Sequence, residues 1–326
     1  MLNSFTRRGF GAALVAGALA LAAPFGAMAA DGPVTIVVPY GAGGTTDAFA
    51  RMLADGMSKE LGRTVLVENK PGANGILGAT YVAKAKPDGA TLLWGGTGPV
   101  SLNAMLRPSL PYTLDSFDSV AMLFDGTLTL TVPTKMGVNS IEELVAYAKT
   151  SGKPLRYGTL GPGSVTHLYG LILSKALDVP VVPVAYKNNP SSLVDLIGGQ
   201  AELSFATPIA LVEHAKAGDL KIMALTTTER DPAFADVPSV TELGHPELVT
   251  SYWSALHAPK GTPKEVIDQL AAAAVKTVQS DAFRELLAKN GQYEKAGGPE
   301  ALDAQLATDR ETWGKVIADN NIVLAD

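Results

Sequence analysis

The chain has 326 residues, with 26 Lys and Arg against 32 Asp and Glu, a formal charge of −6. That balance gives no broad attraction to nucleic acid or an anionic membrane surface, and the absence of cysteine excludes disulfide staples and thiolate metal sites. Length and a 47% hydrophobic content fit one or two domains whose apolar cores need no covalent help.

At the N-terminus, Arg7 and Arg8 precede an apolar run over 10–24, and Ala27-Met28-Ala29 places small residues where a signal peptidase reads. Residues 1–29 therefore read as an export signal, and the order Thr6-Arg7-Arg8-Gly9-Phe10 also fits the twin-arginine type. Removing them takes away two arginines and no acid, leaving 24 basic against 32 acidic residues and a charge of −8. An anionic ligand would then need local amides rather than a basic field.

The apolar run 34–38 reads as a strand and leads directly into Pro39-Tyr40-Gly41-Ala42-Gly43-Gly44-Thr45-Thr46-Asp47. Glycines let backbone N–H groups come close to a ligand, and the helix that follows adds unpaired amides and a favourable dipole, so this loop reads as an anion cradle. Asp47 is expected either to stabilise the helix start or to orient the cradle. Thr45 and Thr46 divide between capping and contact, and Tyr40 offers an aromatic wall with a hydroxyl. Phe49, Met52, Leu53, Met57 and Leu61 recur at helical spacing, and Gly62 is a natural stop.

A strand at 64–68, a helix at 76–85 and a strand at 91–94 follow, the last ending in the glycine-rich segment 95–99. The alternation resumes with a strand at 156–158, a second glycine loop through Gly161, Pro162, Gly163 and Ser164, and a helix over 165–177 that Ser164 would cap. Strands at 181–184, 202–205 and 221–226 alternate with helices at 191–197 and 209–217. The apolar stretches 124–133 and 252–259 read as segments passing between two α/β lobes, and helices over 263–288 and 299–318 complete the chain. Each lobe would hold a mostly parallel sheet, with a cleft where the two glycine loops meet.

Enzyme readings find little support in these loops. Thr46 stands where a dinucleotide motif needs its third glycine, and no Lys follows the loop as a phosphate-binding loop requires. Ser164 lacks the trailing glycine of a nucleophile elbow. His167 reads as bracing the loop, and His214, His245 and His257 lack metal-site spacing.

Taken in order, the segments 39–47, 68–79, 110–123, 157–168, 182–200, 236–244 and 258–263, with Trp313 in the last helix, resemble the Bug family of extracytoplasmic solute receptors. These are the TctC-like binding components of tripartite tricarboxylate transporters. The resemblance implies a type II periplasmic binding protein fold: residues 30–131 plus 254–326 as the first lobe and 132–253 as the second. It implies a periplasmic receptor that is not an enzyme, closes on a small carboxylate without a cofactor, acts as a monomer and delivers to a membrane permease. An exported oxidoreductase or hydrolase using the same cleft is the alternative. The binding set so implied is Tyr40, Gly41, Ala42, Gly43, Gly44, Thr45, Thr46, Asp47 and Thr97 from the first lobe. Gly161, Gly163, Ser164, Thr166, Tyr186 and Thr207 come from the second. The chain departs from the family pattern at Ala42, at Asn188 after Tyr186-Lys187, and at Ala206-Thr207, which bears on the identity of the ligand rather than on the fold.

Overall fold

The computed structural model describes residues 32–319 together with Ile322 and Leu324; the export signal expected at 1–29 lies outside the described residues. The first part of the chain runs β1 (Val34–Val38), α1 (Thr45–Leu61), β2 (Val65–Asn69), α2 (Ile76–Ala83) and β3 (Thr91–Gly96). A wide π-helical turn (Thr97–Leu102) and α3 (Asn103–Leu106) lead to β4 (Phe117–Thr127). The middle part runs β5 (Thr129–Pro133), α4 (Ile141–Ser151), β6 (Leu155–Thr159), α5 (Val165–Leu177), β7 (Val181–Ala185), α6 (Asn189–Gly198), α7 (Ile209–Lys216) and β8 (Leu220–Leu225). The chain closes with β9 (Ser251–Pro259), α8 (Lys264–Val278), α9 (Asp281–Lys289), β10 (Gln292–Gly297) and α10 (Pro299–Asp319).

Local chemistry accounts for most of these boundaries. Leaving out the sheet, α1 ends at Gly62 as its spacing predicts, and α5 begins at Ser164, whose hydroxyl accepts the His167 N–H. The single helix expected over 263–288 is instead two helices. Ser280 caps α9 by accepting the Phe283 N–H, which restarts the helix after Gln279.

Six strands form one sheet in the order β10-β4-β9-β3-β1-β2. Alternation along β1 sends Val34, Ile36 and Val38 to a core shared with α1, α8 and α9, while Val37 faces the opposite cluster with Ala79 and Val82 of α2. Both faces of the sheet are thus covered. The expectation of a mostly parallel sheet is corrected here: β1 runs parallel to β2 and β3, whereas β3 with β9, β9 with β4, and β4 with β10 are antiparallel. The reason is connectivity, because β4 carries the chain out of this sheet and the neighbouring β9 brings it back in the opposite direction.

The excursion between them builds a second layer. β5 pairs antiparallel with β8 and β6 pairs parallel with β7. Leu203 and Ser204 join the two pairs, through bridges to Tyr157 and Thr131, where the sequence predicts a full strand. Tyr157, Phe205, Tyr169 and Leu173 are fully buried in this layer's core with residues of α4 and α5. Leu196 of α6 and Leu211 of α7 pack in a separate cluster with Leu220. At the rear, Trp313, Ile322 and Leu324 meet Leu102, Leu106 and Leu168, so the end of the chain touches both parts.

Candidate functional site

A cavity of about 360 Å³ lies where the carboxyl ends of β1, β3 and β6 converge, with walls from both layers. Its first wall is the 39–44 loop. Gly43 takes φ +81°, a left-handed conformation that a Cβ would oppose. Gly44 then serves as the N-cap of α1 without any side-chain hydrogen bond. The first-turn amides of this 17-residue helix are therefore uncapped by side chains, and Thr45 and Thr46 line the cavity beside them.

Asp47 turns away from this space and ties the loop down. Its carboxylate accepts the Gly43 N–H at 3.1 Å, two guanidinium bonds from Arg51 at 3.0 Å each, and the Asn69 amide at 3.0 Å. Asn69 also donates to the Tyr40 carbonyl at 3.1 Å. Burial acts to raise the Asp47 pKa, but the bonds from Arg51, Gly43 and Asn69 outweigh it, so the carboxyl titrates below its ordinary value. Asp47 is thus an organiser of the cradle.

The second wall begins with the loop after β6. The Ser164 hydroxyl caps His167, donates to the Gly161 carbonyl at 2.7 Å, and lies 2.8 Å from the Thr159 hydroxyl. His167 Nδ1 in turn accepts the Gly163 N–H at 3.2 Å, the loop-bracing role its sequence position predicts. Burial, with the nearby Arg107 charge, lowers the His167 pKa and keeps the ring a neutral acceptor. Thr166 accepts the Leu160 N–H at 3.3 Å.

The floor comes from β3, the π-helical turn and β9. Thr97 is buried and its hydroxyl accepts the Trp253 N–H at 2.9 Å. The Trp253 indole donates to Asp309 of α10 at 2.9 Å, and Gln305 adds a second bond at 3.0 Å. Asn74, buried and in the left-handed region, bonds Asn103 through side chain and backbone and lines the cavity next to Gly98. Around these polar groups stand Trp94, Phe49 and Phe124, with the Phe49 and Phe124 rings 4.8 Å apart. Burial pushes the Tyr40 hydroxyl pKa upward, so Tyr40 presents a neutral phenol.

From the far layer come Leu128, Phe205, Ala206, Thr207, Ala210 and Leu211. The Thr207 hydroxyl is buried with no hydrogen-bond partner. Lys187 is exposed and is the charged side chain among the lining residues; among the described residues no Asp or Glu lines the cavity. Nor, among the described residues, does any group of His, Cys, Asp and Glu have the arrangement to hold a metal ion.

Of the residues singled out from the sequence, the structure gathers Tyr40, Gly41, Gly43, Gly44, Thr45, Thr46, Thr97, Ser164, Thr166 and Thr207 around one cavity. Ala42, Asp47, Gly161 and Gly163 lie outside the lining. So does Tyr186, whose hydroxyl donates to Asp195 at 2.8 Å. Sequence reasoning passed over Asn74, Lys187 and the aromatic floor, because each reads locally as turn, solvated face or core. A polar residue inside the glycine-bounded segment 72–75 is the one signal that could have found Asn74.

A model of the tripartite tricarboxylate transporter family receptor matches residues 49–322. The UPF0065 protein in the TAR-I ttuE-ttuC' intergenic region of Agrobacterium vitis is 37% identical over 291 residues, spanning 88% of this chain and 84% of that protein. MatC from Rhodopseudomonas palustris, solved with bound malate, is 31% identical with a TM-score of 0.81, over 87% of this chain and 98% of its own. A further R. palustris protein, solved with adipate, is 29% identical with a TM-score of 0.84, over 89% and 98%.

Proposed function

The chain belongs to the tripartite tricarboxylate transporter receptor family, and from that membership we propose that it captures a small carboxylate in the cavity and delivers it to a membrane permease. It is a periplasmic solute receptor and not an enzyme, with the α/β fold of periplasmic binding proteins. The malate and adipate held by two of its structural relatives support a carboxylate as its ligand.

One observation carries the reading for this chain. The cavity joins an uncapped helix start, threonine hydroxyls and a lysine, with no carboxylate among the described lining residues. A carboxylate meets donors there and no like charge. Asp47 keeps the donors aimed by spending its own acceptor capacity on Gly43, Arg51 and Asn69.

The receptor works as two lobes, residues 30–131 with 254–326 and residues 132–253, joined by the two segments that pass between them. Loop 39–46 with Thr97 acts from one lobe and Ser164, Thr166 and Thr207 from the other, so both sets engage one solute only when the lobes approach. The receptor acts as a monomer. Calorimetric titration of the purified protein with a carboxylate panel that includes malate and adipate, coupled to product analysis, tests this reading. Saturable binding without turnover is expected, along with loss of uptake of the bound compound on gene deletion and recovery on re-expression. Sustained product formation would assign the cavity to catalysis instead.

A further inference from the structure

The polar groups that line the cavity divide into those whose hydrogen bonds are already made and those whose are not. The hydroxyls of Thr97, Ser164, Ser204 and Tyr252 accept from Trp253, His167, Ala206 and Gln292 in turn. Asn74 is tied to Asn103, and Asn188 to the start of α6. Trp94 and Ser254 differ. They are 1% and 8% exposed, yet among the described residues neither the Trp94 indole N–H nor the Ser254 hydroxyl has a hydrogen-bond partner. Unlike the Thr207 hydroxyl, neither atom is sealed off from solvent. Buried donors are ordinarily paired, so one that is unpaired, deeply placed and still reachable from a cavity points to a group that arrives from outside. The Ser192 hydroxyl also lines the cavity, but that residue is half-buried, where water serves it.

Strand register places the two donors together. Gly96 of β3 and Phe124 of β4 both lie opposite Ser254 of β9, and Trp94 lies opposite Leu256. Facing residues, and residues two apart on a strand, share a face of the sheet, and diagonal neighbours lie within reach of a large side chain. Ser254 therefore shares a face with Trp94 and Phe124, on the strand between theirs, and the two rings stand 6.0 Å apart. Gly96 adds no side chain, so the face stays open at the end of β3 as a notch with two donors and aromatic walls. Phe49, one turn into α1, packs on Phe124 at 4.8 Å, so the helix start overlooks the same notch. In the sheet β3 and β9 stand one and two strand spacings from β1, about 5 and 10 Å, so a carboxylate at the helix start after β1 brings an atom about four to six carbons away to this notch.

We propose that Trp94 and Ser254 are a second recognition point of this receptor, reading a neutral oxygen, oxo or hydroxyl, carried about four to six carbons from the ligand's carboxylate. The inference rests on the carboxylate-receptor reading. An indole N–H only donates, so the group it meets must accept, and an ammonium finds no acid among the described lining residues. A second carboxylate in the notch would meet neutral donors and aromatic rings without a buried cation, since Lys187 is exposed and belongs to the other layer.

The probes are hexanoate, 5-oxohexanoate, 6-hydroxyhexanoate and adipate, titrated calorimetrically into mature receptor freed of copurified solute by unfolding and refolding. The two oxygenated acids should bind about tenfold more tightly than hexanoate, the scale of one hydrogen bond, and adipate should bind more weakly than both. In Trp94→Phe, which keeps an aromatic ring and removes the N–H, the ratio of 5-oxohexanoate to hexanoate affinity should fall to within about twofold of one. Ser254→Ala should lower the same ratio, and gives the test a second variant if the first does not fold. A purely structural role for either side chain would weaken all four acids together and leave the ratio standing, which overturns the proposal. Hexanoate binding as tightly as the oxygenated acids also overturns it, as does adipate binding more tightly than both; each leaves the carboxylate receptor standing. Folded parent protein that binds none of the four overturns the proposal, and uptake assays in the deletion strain then decide the receptor reading separately.

Discussion

Asp47 holds the 39–44 loop in one arrangement by accepting from a backbone amide, a guanidinium and a carboxamide at once. Because Arg51 is half exposed, its ion pair contributes less than the part-buried bonds to Gly43 and Asn69. Asp47→Ala should therefore cost about 0.5–1.5 kcal/mol, the net scale of an intramolecular hydrogen bond whose donors water can reach, and weaken carboxylate binding without removing a direct contact. The folded-state pKa of Asp47 is depressed, so its contribution is complete above the unfolded value near 3.9 and is lost as pH falls through the lower folded value. Urea titrations between pH 2 and 6 should show this acid loss in the parent and not in Asp47→Asn. Ser164→Ala belongs to the same scale: loss of the α5 cap should cost about 1 kcal/mol of stability. Its hydroxyl already serves Gly161, Thr159 and His167, so the stability change should accompany any change in affinity; affinity loss at unchanged stability would show that the cap contributes nothing.

Pairing of β3 with β9 sets the cavity floor at the level of the elements. Gly96 lies opposite Ser254, and a Cβ there would stand 2.5 Å from the Trp253 carbonyl oxygen, a backbone atom that cannot swing aside. Gly96→Ala should push the two strands apart, cost about 1–3 kcal/mol, and shift Trp253 off Thr97, which the indole fluorescence would report. His257 of the same strand is fully buried between Phe117 and Trp253, and burial pushes its pKa down to about 3. A base with a folded pKa below its unfolded value binds protons preferentially when unfolded. Stability should thus decline as pH falls from 6.5 toward 3, with a limiting slope of about 1.4 kcal/mol per pH unit. Denaturation midpoints of His257→Gln that keep the parent's slope across this window would exclude His257 as its source.

Across the whole molecule, the same cavity that needs both layers is spanned at the rear by the end of the chain. Trp313 packs with Leu102, Leu106 and Leu168, and Arg107 donates to the Pro162 carbonyl at 3.1 Å. These contacts hold the second glycine loop against α3. Trp313→Ala should cost about 3–5 kcal/mol, the range for removing a large buried ring, with a broadened distribution of distances between spin labels placed in the two lobes. If the lobes move as proposed, a saturating carboxylate should contract the radius of gyration measured by small-angle scattering. An unliganded protein already as compact would argue for a preformed cavity.

What the sequence determined by itself is what neighbours along the chain decide. The Gly43-Gly44 turn into α1, the Ser164 cap on α5, the bracing by His167 and the helical stripe from Phe49 to Leu61 all rest on interactions within about four residues. Local pattern also told β1 and β3 apart from the helices between them. It did not tell that β4 and β9 would lie side by side and antiparallel, since register between strands more than a hundred residues apart leaves no mark in local periodicity. The same limit hid the partners of individual side chains. Asp47 found Asn69, Tyr186 found Asp195, and the Thr207 hydroxyl was buried without a partner. Phe49, Phe124 and Phe205 read as core in any sequence, and they are core. Only the approach of the two layers makes them the lining of one cavity, because burial is a property of the assembled surfaces and not of the residue that is buried.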